Sequence, residues 1–195
     1  MKKIVKPLVF TAILLFLLQV SHSQLHLPVG NGIGSDIKKV IREYPHHFAK
    51  LQGDIIEENP QATDYACNFS FSGAEYATIT RYSSRKEPVY SWQALMLTTE
   101  SFEEARAKFK QLFHQFNNMA VKMDYGVTFY LKGKYQAPVE EKNFTSAILS
   151  FEKADQITHK MKLEVSMQYE MLEWKVRVLI YERDREDTDQ GEELD

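Results

Sequence analysis

The chain has 195 residues, of which 44% are hydrophobic and 26% charged, and its formal net charge is −3. This length suits one domain, or two small and closely packed halves. A mildly acidic chain lacks the basic surface with which proteins bind nucleic acid or anionic membranes, so the composition excludes both as partners.

Residues 1–23 have the pattern of a secretory signal peptide. Three lysines precede the apolar run Leu8–Val20, and the small residues Ser21 and Ser23 mark a cleavage site before Gln24. This run is shorter than a helix that spans a hydrocarbon core of about 30 Å. We therefore expect a protein that is exported, to the periplasm or beyond the cell, and soluble after cleavage. The alternative is an uncleaved N-terminal anchor.

The remaining chain divides by composition into three parts. Residues 24–34 form a glycine-containing flexible leader, and residues 35–182 form a single α+β domain with possible halves at 35–99 and 100–182. Residues 183–195 are rich in acids, without apolar periodicity, and we predict a solvated disordered tail there. A cation-binding or partner-binding acidic arm is the functional alternative for this tail.

The first half is predicted to be one helix followed by three strands. Apolar residues at helical spacing indicate a helix that starts at Ser35, its N-cap, and is kinked or split by Pro45. A short helical piece is predicted over 54–59. The alternating or β-rich segments that we predict as strands are 65–71, 76–82 and 89–98. The last is apolar on both faces at its centre, which indicates an inner position in the sheet.

The second half begins with the most strongly patterned element. Ser101 and Glu104 fit a capping box, and an aromatic-rich apolar stripe then continues for about twenty residues to Ala120. The strands predicted after this helix are 127–131, 144–151, 161–169 and 174–180. Residues 170–173 are predicted to form a tight hairpin or a bulge.

The predicted fold class is therefore α+β, with two helices packed on an antiparallel sheet in the order α-βββ-α-βββ(β). A similarity between two decapeptides raises the possibility of a duplicated αβββ unit. Asp64–Gly73 and Asp124–Gly133 share Asp-Tyr at the start, Phe at the sixth place and Gly at the end. Because alternation alone matches apolar residues in any two strands, this similarity leaves duplication and coincidence both open.

Cys67 is the single cysteine of the chain, so an intrachain disulfide is excluded and the fold depends on its hydrophobic core. Cys67 alternates with Tyr65, Phe69 and Phe71, which predicts a small buried residue with an unreactive thiol. A nucleophilic or intermolecular role is the alternative for this cysteine.

We predict no catalytic, cofactor-binding or metal-ligating residue. The histidines outside the signal segment form no ligand pattern; they are His26, His46, His47, His114 and His159. The adjacent acid pairs are typical of solvated surfaces; they are Glu57-Glu58, Glu103-Glu104 and Glu140-Glu141. No hydrolase elbow, Walker loop, zinc-protease motif or calcium loop is present.

Binding features are weak but present. Aromatic residues in neighbouring strands could form a binding surface or ordinary cross-strand packing; they are Tyr76, Tyr82, Tyr90 and Trp92. The polar loop 83–88 and the segment 132–142 are candidates for a protruding inhibitory loop. Asn68-Phe-Ser70 and Asn143-Phe-Thr145 match the N-glycosylation sequon, which matters only in a eukaryotic secretory route.

Three functional hypotheses follow. The first is a non-enzymatic binding or accessory protein of a bacterial cell envelope, which recognises a peptide, a protein or a small ligand through its sheet face or an edge strand. The second is a hydrolase-like enzyme with a cleft between the halves. The third is an inhibitor or immunity-type protein.

Overall fold

The computed structural model describes residues 32–84 and 87–183. Within these residues, nine strands form one antiparallel sheet, and two α-helices pack on one of its faces. The predicted class, α+β with two helices on an antiparallel sheet, is therefore confirmed. The predicted signal peptide, most of the leader and nearly all of the acidic tail lie outside the described residues. None of the described helices is long and apolar enough to cross a membrane.

The helices are α1 (Gly32–Glu43) and α2 (Phe102–Phe116), and short 3-10 helices at Tyr44–His46 and Ala49–Leu51 follow α1. The strands, in chain order, are β1 (Gln52–Glu58), β2 (Ala62–Cys67), β3 (Tyr76–Tyr82), β4 (Val89–Thr99), β5 (Ala120–Lys122), β6 (Thr128–Gly133), β7 (Phe144–Glu152), β8 (Met161–Glu170) and β9 (Glu173–Glu182).

The spatial order of the strands is β1-β2-β3-β4-β9-β8-β7-β6-β5. Residues 52–99 thus supply one side of the sheet and residues 120–182 the other. The two sides join where β4 pairs with β9, from Trp92 opposite Ile180 to Thr99 opposite Trp174. The predicted inner position of β4 is therefore confirmed, while β1 and β5 form the two edges.

The two faces of the sheet differ in what covers them. The helix-covered face is marked by a row of fully buried side chains, Ile79, Trp92, Ile180 and Leu163. This row packs in one core with apolar residues of both helices, among them Ile37 and Phe109. The open face is marked by the neighbouring row of Thr78, Gln93, Leu179 and Glu164. Each buried large side chain stabilises the fold by about 1.5–3 kcal/mol.

The start of α2 follows the predicted cap only in part. The Ser101 hydroxyl accepts a hydrogen bond from the Glu104 N–H at 3.3 Å. The Glu104 carboxylate accepts a hydrogen bond from the Thr99 hydroxyl at 2.8 Å, and the Ser101 N–H donates to the Thr99 hydroxyl oxygen at 3.1 Å. In a capping box the Glu104 carboxylate would accept directly from the Ser101 N–H; here the Thr99 hydroxyl lies between them and bonds to both. The helix ends at Phe116, before the predicted stripe does.

Two predictions for residues near α1 were wrong. The helix begins at Gly32, not Ser35, and the Ser35 hydroxyl donates to the Gly32 carbonyl at 2.8 Å. The helical piece predicted over 54–59 is instead the strand β1, which pairs with β2. Pairing with a neighbouring strand outweighs the local preference here, as is common for short segments. Pro45 does end the α-helix, and a 3-10 turn follows.

The repeated decapeptides do not adopt equivalent structures. In the first, Asp64–Cys67 is strand and the rest is loop, whereas in the second, residues 124–127 form a turn and Thr128–Gly133 is strand. The strand predicted over 65–71 consequently ends at Cys67. The short strand β5 was not predicted. Within the described residues the order is α-ββββ-α-βββββ, and a duplicated αβββ unit is not confirmed.

Candidate binding cleft and sheet edge

Strands β2 and β3 separate at one end of the sheet. Their pairing runs from Ala62 opposite Tyr82 to Ala66 opposite Thr78. Beyond this last pair the chain leaves β2 and returns only at Glu75, whose N–H donates to the Leu95 carbonyl of β4 at 2.8 Å. Because β3 still pairs with β4 but no longer with β2 at this point, a gap opens between β2 and β3.

Hydrogen bonds from outside the loop fix the wall of this gap. The Asp36 carboxylate of α1 accepts from the Ser72 N–H at 2.9 Å and from the Ser72 hydroxyl at 2.5 Å. The Asn68 side-chain amide donates to the Lys50 and Gln52 carbonyls at 3.2 and 3.0 Å. The loop is therefore bonded to α1, to the 3-10 helix Ala49–Leu51 and to β1, and the sequon amide of Asn68 already serves a structural role.

The gap forms a cleft of about 660 Å³, which we name the edge cleft. This volume lies in the range of binding pockets in proteins, about 300–1,000 Å³. The edge cleft is lined by Ile56, Ala66, Cys67, Asn68, Phe69, Ser70, Phe71, Ala74, Glu75, Tyr76, Ala77 and Thr78. Most of these side chains are apolar or small, which favours an apolar side chain or a short chain segment as its occupant.

The edge strand β1 adjoins the edge cleft. Its side chains Ile55 and Ile56 are 56% and 59% exposed, and Ile56 also lines the cleft. Irregular pairing with β2 bends the strand on both sides of Ile55. Asp54, Glu57 and Glu58 surround the isoleucines with negative charge. Bulges and charges on an edge strand discourage non-selective pairing, but the exposed backbone groups can still accept an additional strand.

The lining of the edge cleft offers little chemistry beyond binding. Its titratable side chains are Cys67, Glu75 and Tyr76. Glu75 accepts a hydrogen bond from the Thr98 hydroxyl at 3.1 Å. Nucleophilic catalysis by a cysteine requires an adjacent base or cation, and the lining contains no histidine, lysine or arginine. The Lys39 amine lies 3.7 Å from the centroid of the Phe69 ring, which lines the cleft.

Cys67 was predicted to be a small buried residue, and the structure shows it half-buried. The side chain packs against the core, as predicted, together with Tyr65 and Phe69. It also lines the edge cleft because β2 ends at this residue. The sequence could not reveal this, since alternation continues through Phe71 although the strand does not.

A second, more polar groove lies at the opposite end of the sheet. Its volume is about 300 Å³, and its lining comes from both sequence halves: Tyr44, Pro45, His47, Phe48, Glu87, Tyr90, Gln156, Ile157, His159, Lys160 and Glu182. The His47 ring meets the Tyr90 ring edge-on at 4.9 Å, and Lys160 lies 3.2 Å from Glu182. No sequence pattern indicated this groove, because His47 and His159 are more than a hundred residues apart.

Two left-handed residues border this polar groove. His47 and Phe48 have φ values of 55° and 57°, a region that non-glycine residues seldom occupy. The Phe48 side chain is fully buried, so its packing compensates for the backbone conformation. Within residues 32–84 and 87–183, no group of three or more histidine, cysteine, aspartate or glutamate side chains is arranged to hold a metal ion.

The predicted aromatic group divides between the two faces. Tyr76 and Tyr82 lie on the open face at opposite ends of β3 and are 52% and 46% exposed. Trp92 is fully buried under the helices, and Tyr90 is half-buried on the same face. Of the four residues, only Tyr76 lines the edge cleft. A shared tyrosine surface is therefore not formed.

The segment 132–142 is packed against the helix side of the fold. The Tyr135 ring lies 5.2 Å from that of Phe113 and 6.0 Å from that of Phe109, both on α2. Pro138 is buried. Residues 139–142 of this segment are exposed, so its anchored and exposed parts lie side by side and the inhibitor hypothesis stays a prediction. In the other candidate loop, residues 85–86 lie outside the described residues.

Comparison of the chain with known protein families, with curated proteins and with solved structures found no match.

Proposed function

We propose that this protein is a non-enzymatic binding protein that recognises an extended segment of a partner protein at the edge cleft. The observation that supports this function is the continuity between the cleft and the exposed edge strand β1, joined through Ile56. An added strand would obtain main-chain hydrogen bonds from β1, while one of its side chains would enter the cleft and confer selectivity.

The charges on β1 indicate what the partner segment contains. Asp54, Glu57 and Glu58 lie on the strand itself, and Glu75 lines the cleft. Charge complementarity across an interface selects partners and accelerates encounter. We therefore infer a segment that combines apolar residues, for the exposed isoleucines and the cleft, with lysine or arginine beside them.

The test is selection of linear peptides from a displayed random library, followed by measurement of Kd for the enriched sequences. We expect enriched peptides to share an apolar and basic pattern. Thr78→Trp fills the cleft from an open-face position and should weaken binding at least about tenfold, which corresponds to about 1.4 kcal/mol. Ser91→Trp is the matched control, because it also lies on the open face of the first half but does not line the cleft.

Cys67 provides an independent report of occupancy, because it is the single cysteine of the chain and lines the cleft. A bound peptide should slow alkylation of this thiol in proportion to saturation. Binding that is equally strong in Thr78→Trp, or that leaves the alkylation rate unchanged, would contradict the proposed site.

We also propose that the protein acts after export, as an accessory protein of a bacterial cell envelope. Support comes from the basic, apolar and small-residue pattern of residues 1–23. The test is the intact mass of the protein purified from the envelope fraction of its native cells. A chain that begins at Gln24 supports export, and a chain that retains Met1 in the cytoplasm opposes it.

A second candidate function rests on the polar groove. Two histidines, two carboxylates and a lysine from both sequence halves line it, which fits a small polar ligand or a hydrolytic site between the halves. Hydrolysis of a panel of ester and peptide substrates, lost in His47→Ala and His159→Ala, would favour this function over peptide binding.

A further inference from the structure

The polar groove is a second site, separate from the edge cleft. It lies at the other end of the sheet and shares no lining residue with the cleft. Its volume of about 300 Å³ is at the lower end of the range for binding pockets, which suits a single small molecule.

One wall of the polar groove is a strained turn after α1. His47 and Phe48 both have left-handed backbones, at φ 55° and 57°. The His47 N–H donates to the Tyr44 carbonyl at 3.0 Å, and the Gln52 side-chain amide donates to the His47 carbonyl at 3.1 Å. The Phe48 N–H donates to the Glu43 carbonyl at 3.0 Å. Strained backbone held in this way is common at ligand sites, because it fixes their shape before a ligand binds.

A second wall is the turn that precedes β8. One oxygen of the Asp155 carboxylate accepts from the Ile157 N–H at 3.0 Å and from the Thr158 N–H at 2.8 Å. The other oxygen accepts from the Tyr125 hydroxyl at 2.7 Å. These bonds fix the turn that places Gln156 and Ile157 in the lining. Because both walls are already ordered, little free energy is lost to ordering the protein when a ligand binds.

The polar groups of the groove place hydrogen-bond donors beside acceptors. The Lys160 amine, a donor, lies 3.2 Å from the Glu182 carboxylate, an acceptor. The His159 Nδ1 lies 2.8 Å from the Gln156 carbonyl, which only accepts, so Nδ1 carries a proton and Nε2 of the neutral ring is an acceptor. The side-chain amide of Gln156 both donates and accepts, and it has no hydrogen-bond partner among the described residues. This mixture suits hydroxyl groups, which also donate and accept.

The charges of the groove favour a ligand without net charge. The carboxylates of Glu87 and Glu182 repel an anion, and the amine of Lys160 repels a cation. Beside these groups, the half-buried Tyr90 and the 53% exposed Ile157 contribute apolar surface to the lining. Apolar surface next to paired donors and acceptors fits a ring with hydroxyl groups at its rim and C–H groups on its faces.

We infer that the polar groove binds a neutral sugar ring through neighbouring hydroxyl groups. One hydroxyl accepts from the Lys160 amine while the next donates to the Glu182 carboxylate, since two such hydroxyl oxygens are spaced much as these two groups are. Gln156 and the His159 Nε2 bind further hydroxyls, and Ile157 contacts the C–H groups of the ring. The inference rests on the second candidate function, a small polar ligand in this groove, and is independent of peptide binding at the edge cleft.

The experiment is a titration of the ¹⁵N-labelled protein, as purified, with glucose, galactose, mannose and N-acetylglucosamine. We expect at least one of these sugars to shift amide signals of the groove, with a Kd of about 1 mM or lower, as is typical of a ligand of this size. The matching uronic acid and amino sugar should bind at least about tenfold more weakly. No shift with any of the neutral sugars, or tighter binding of a charged analogue, would overturn the inference.

Two exposed positions in the lining allow the site to be located without disturbing the core. Gln156→Ala removes the amide and should weaken binding about fivefold. Ile157→Trp fills the groove and should weaken binding at least about tenfold. Gln136→Ala and Val139→Trp are the matched controls, because both residues are exposed and neither lines the groove. Binding at full strength in Ile157→Trp would overturn the assignment to this groove.

A disaccharide of the sugar that binds distinguishes the two sources of such a ring. Tighter binding of the disaccharide indicates a unit of a polysaccharide, and weaker binding indicates a free sugar.

The outcome for sugar binding is separable from the outcome for peptide binding. Sugar binding should be unchanged in Thr78→Trp and should leave the alkylation rate of Cys67 unchanged, because both residues line only the edge cleft. Sugar binding without any enriched peptide would support the inference and contradict the proposed peptide site. Peptide binding at the edge cleft without sugar binding would do the reverse.

Discussion

Replacing Met171 and Leu172, the two-residue turn between β8 and β9, should make the chain more stable, although it removes two large apolar side chains. The substitutions are Met171→Asn and Leu172→Gly. Both positions have left-handed backbones, at φ 52° and 67°, which L-residues other than Gly, Asn and Asp occupy at a cost of about 1–2 kcal/mol. Since the side chains are 88% and 78% exposed, little packing is lost on replacement.

The expected magnitude follows from these two terms. Relief at both positions contributes about 2–4 kcal/mol. The greater freedom of glycine in the unfolded chain offsets about 0.5–1 kcal/mol of this gain. We therefore expect the free energy of unfolding to rise by about 1–3 kcal/mol, and each kcal/mol should raise Tm by about 2–4 °C in a chain of this length.

The assay is urea and thermal denaturation at a protein concentration low enough that association does not contribute to stability. Leu172→Ala is the matched control, because it removes apolar surface but retains the Cβ atom that disfavours the left-handed conformation. It should leave stability nearly unchanged. If the Asn-Gly variant is less stable than the wild type, or if the alanine variant gains as much, backbone strain at Met171 and Leu172 is not the explanation.

Two further predictions concern the second half of the sheet. Gly133→Ala would place a Cβ 2.6 Å from a main-chain carbonyl oxygen of β7, so we expect the free energy of unfolding in urea to fall by about 1–3 kcal/mol. Gly34→Ala is the control in helix α1: its Cβ would lie 3.8 Å from the nearest atom, so we expect the free energy of unfolding to rise by about 0.5–1 kcal/mol. The hydrogen bond from Arg177, with help from Lys175, holds the pKa of Glu170 below its usual range although partial burial opposes this. A carboxyl group whose pKa is lowered by folding stabilises the folded protein at pH values above its unfolded pKa. This stabilisation is lost as the pH falls through the lowered pKa. In urea unfolding, Glu170→Gln should therefore lower the free energy of unfolding by about 1 kcal/mol at neutral pH and by progressively less in acid. A difference between variant and wild type that does not change with pH would contradict this reasoning.

The sequence was most informative where one face of an element is continuously buried. The strands β3, β4, β8 and β9 alternate or are apolar over seven residues or more, and their predicted bounds agree closely with the structure. The hydrophobic periodicity of α2 was equally clear. In these elements local preference and tertiary packing favour the same conformation.

The prediction failed where pairing partners decide the conformation. β1 contains adjacent isoleucines between acids, a pattern without strand alternation, and it becomes a strand because β2 offers an edge. The three residues of β5 are too few for any periodicity. In residues 65–71 the alternation of apolar and polar side chains continues past Cys67. The strand β2 nevertheless ends at Cys67, because the chain before β3 bonds to β4 and not to β2.

The candidate sites were not predictable for the same reason. The edge cleft exists because two strands separate, and this separation depends on hydrogen bonds between residues distant in sequence, such as Asp36 with Ser72. The polar groove joins residues from both halves. For residues 170–173 a hairpin or a bulge was predicted, and the structure has the hairpin. Its left-handed backbone, with Met171 and Leu172 exposed, was not predicted, because no turn signal of the Asn-Gly kind is present.

The division of roles between the two parts of the sheet explains why the proposed sites can be tested without unfolding the protein. Stability comes mainly from the helix-covered face, where the row from Ile79 to Leu163 is fully buried against both helices. The edge cleft lies at one end of the strands, and its lining is exposed or half-buried except for the buried Phe71. Thr78 and Ser91 are half-buried on the open face and neither belongs to the core, so tryptophan replaces no core side chain; at Thr78 it enters the edge cleft. A loss of peptide binding in Thr78→Trp but not in Ser91→Trp, with the free energy of unfolding unchanged in both, therefore measures recognition at the edge cleft.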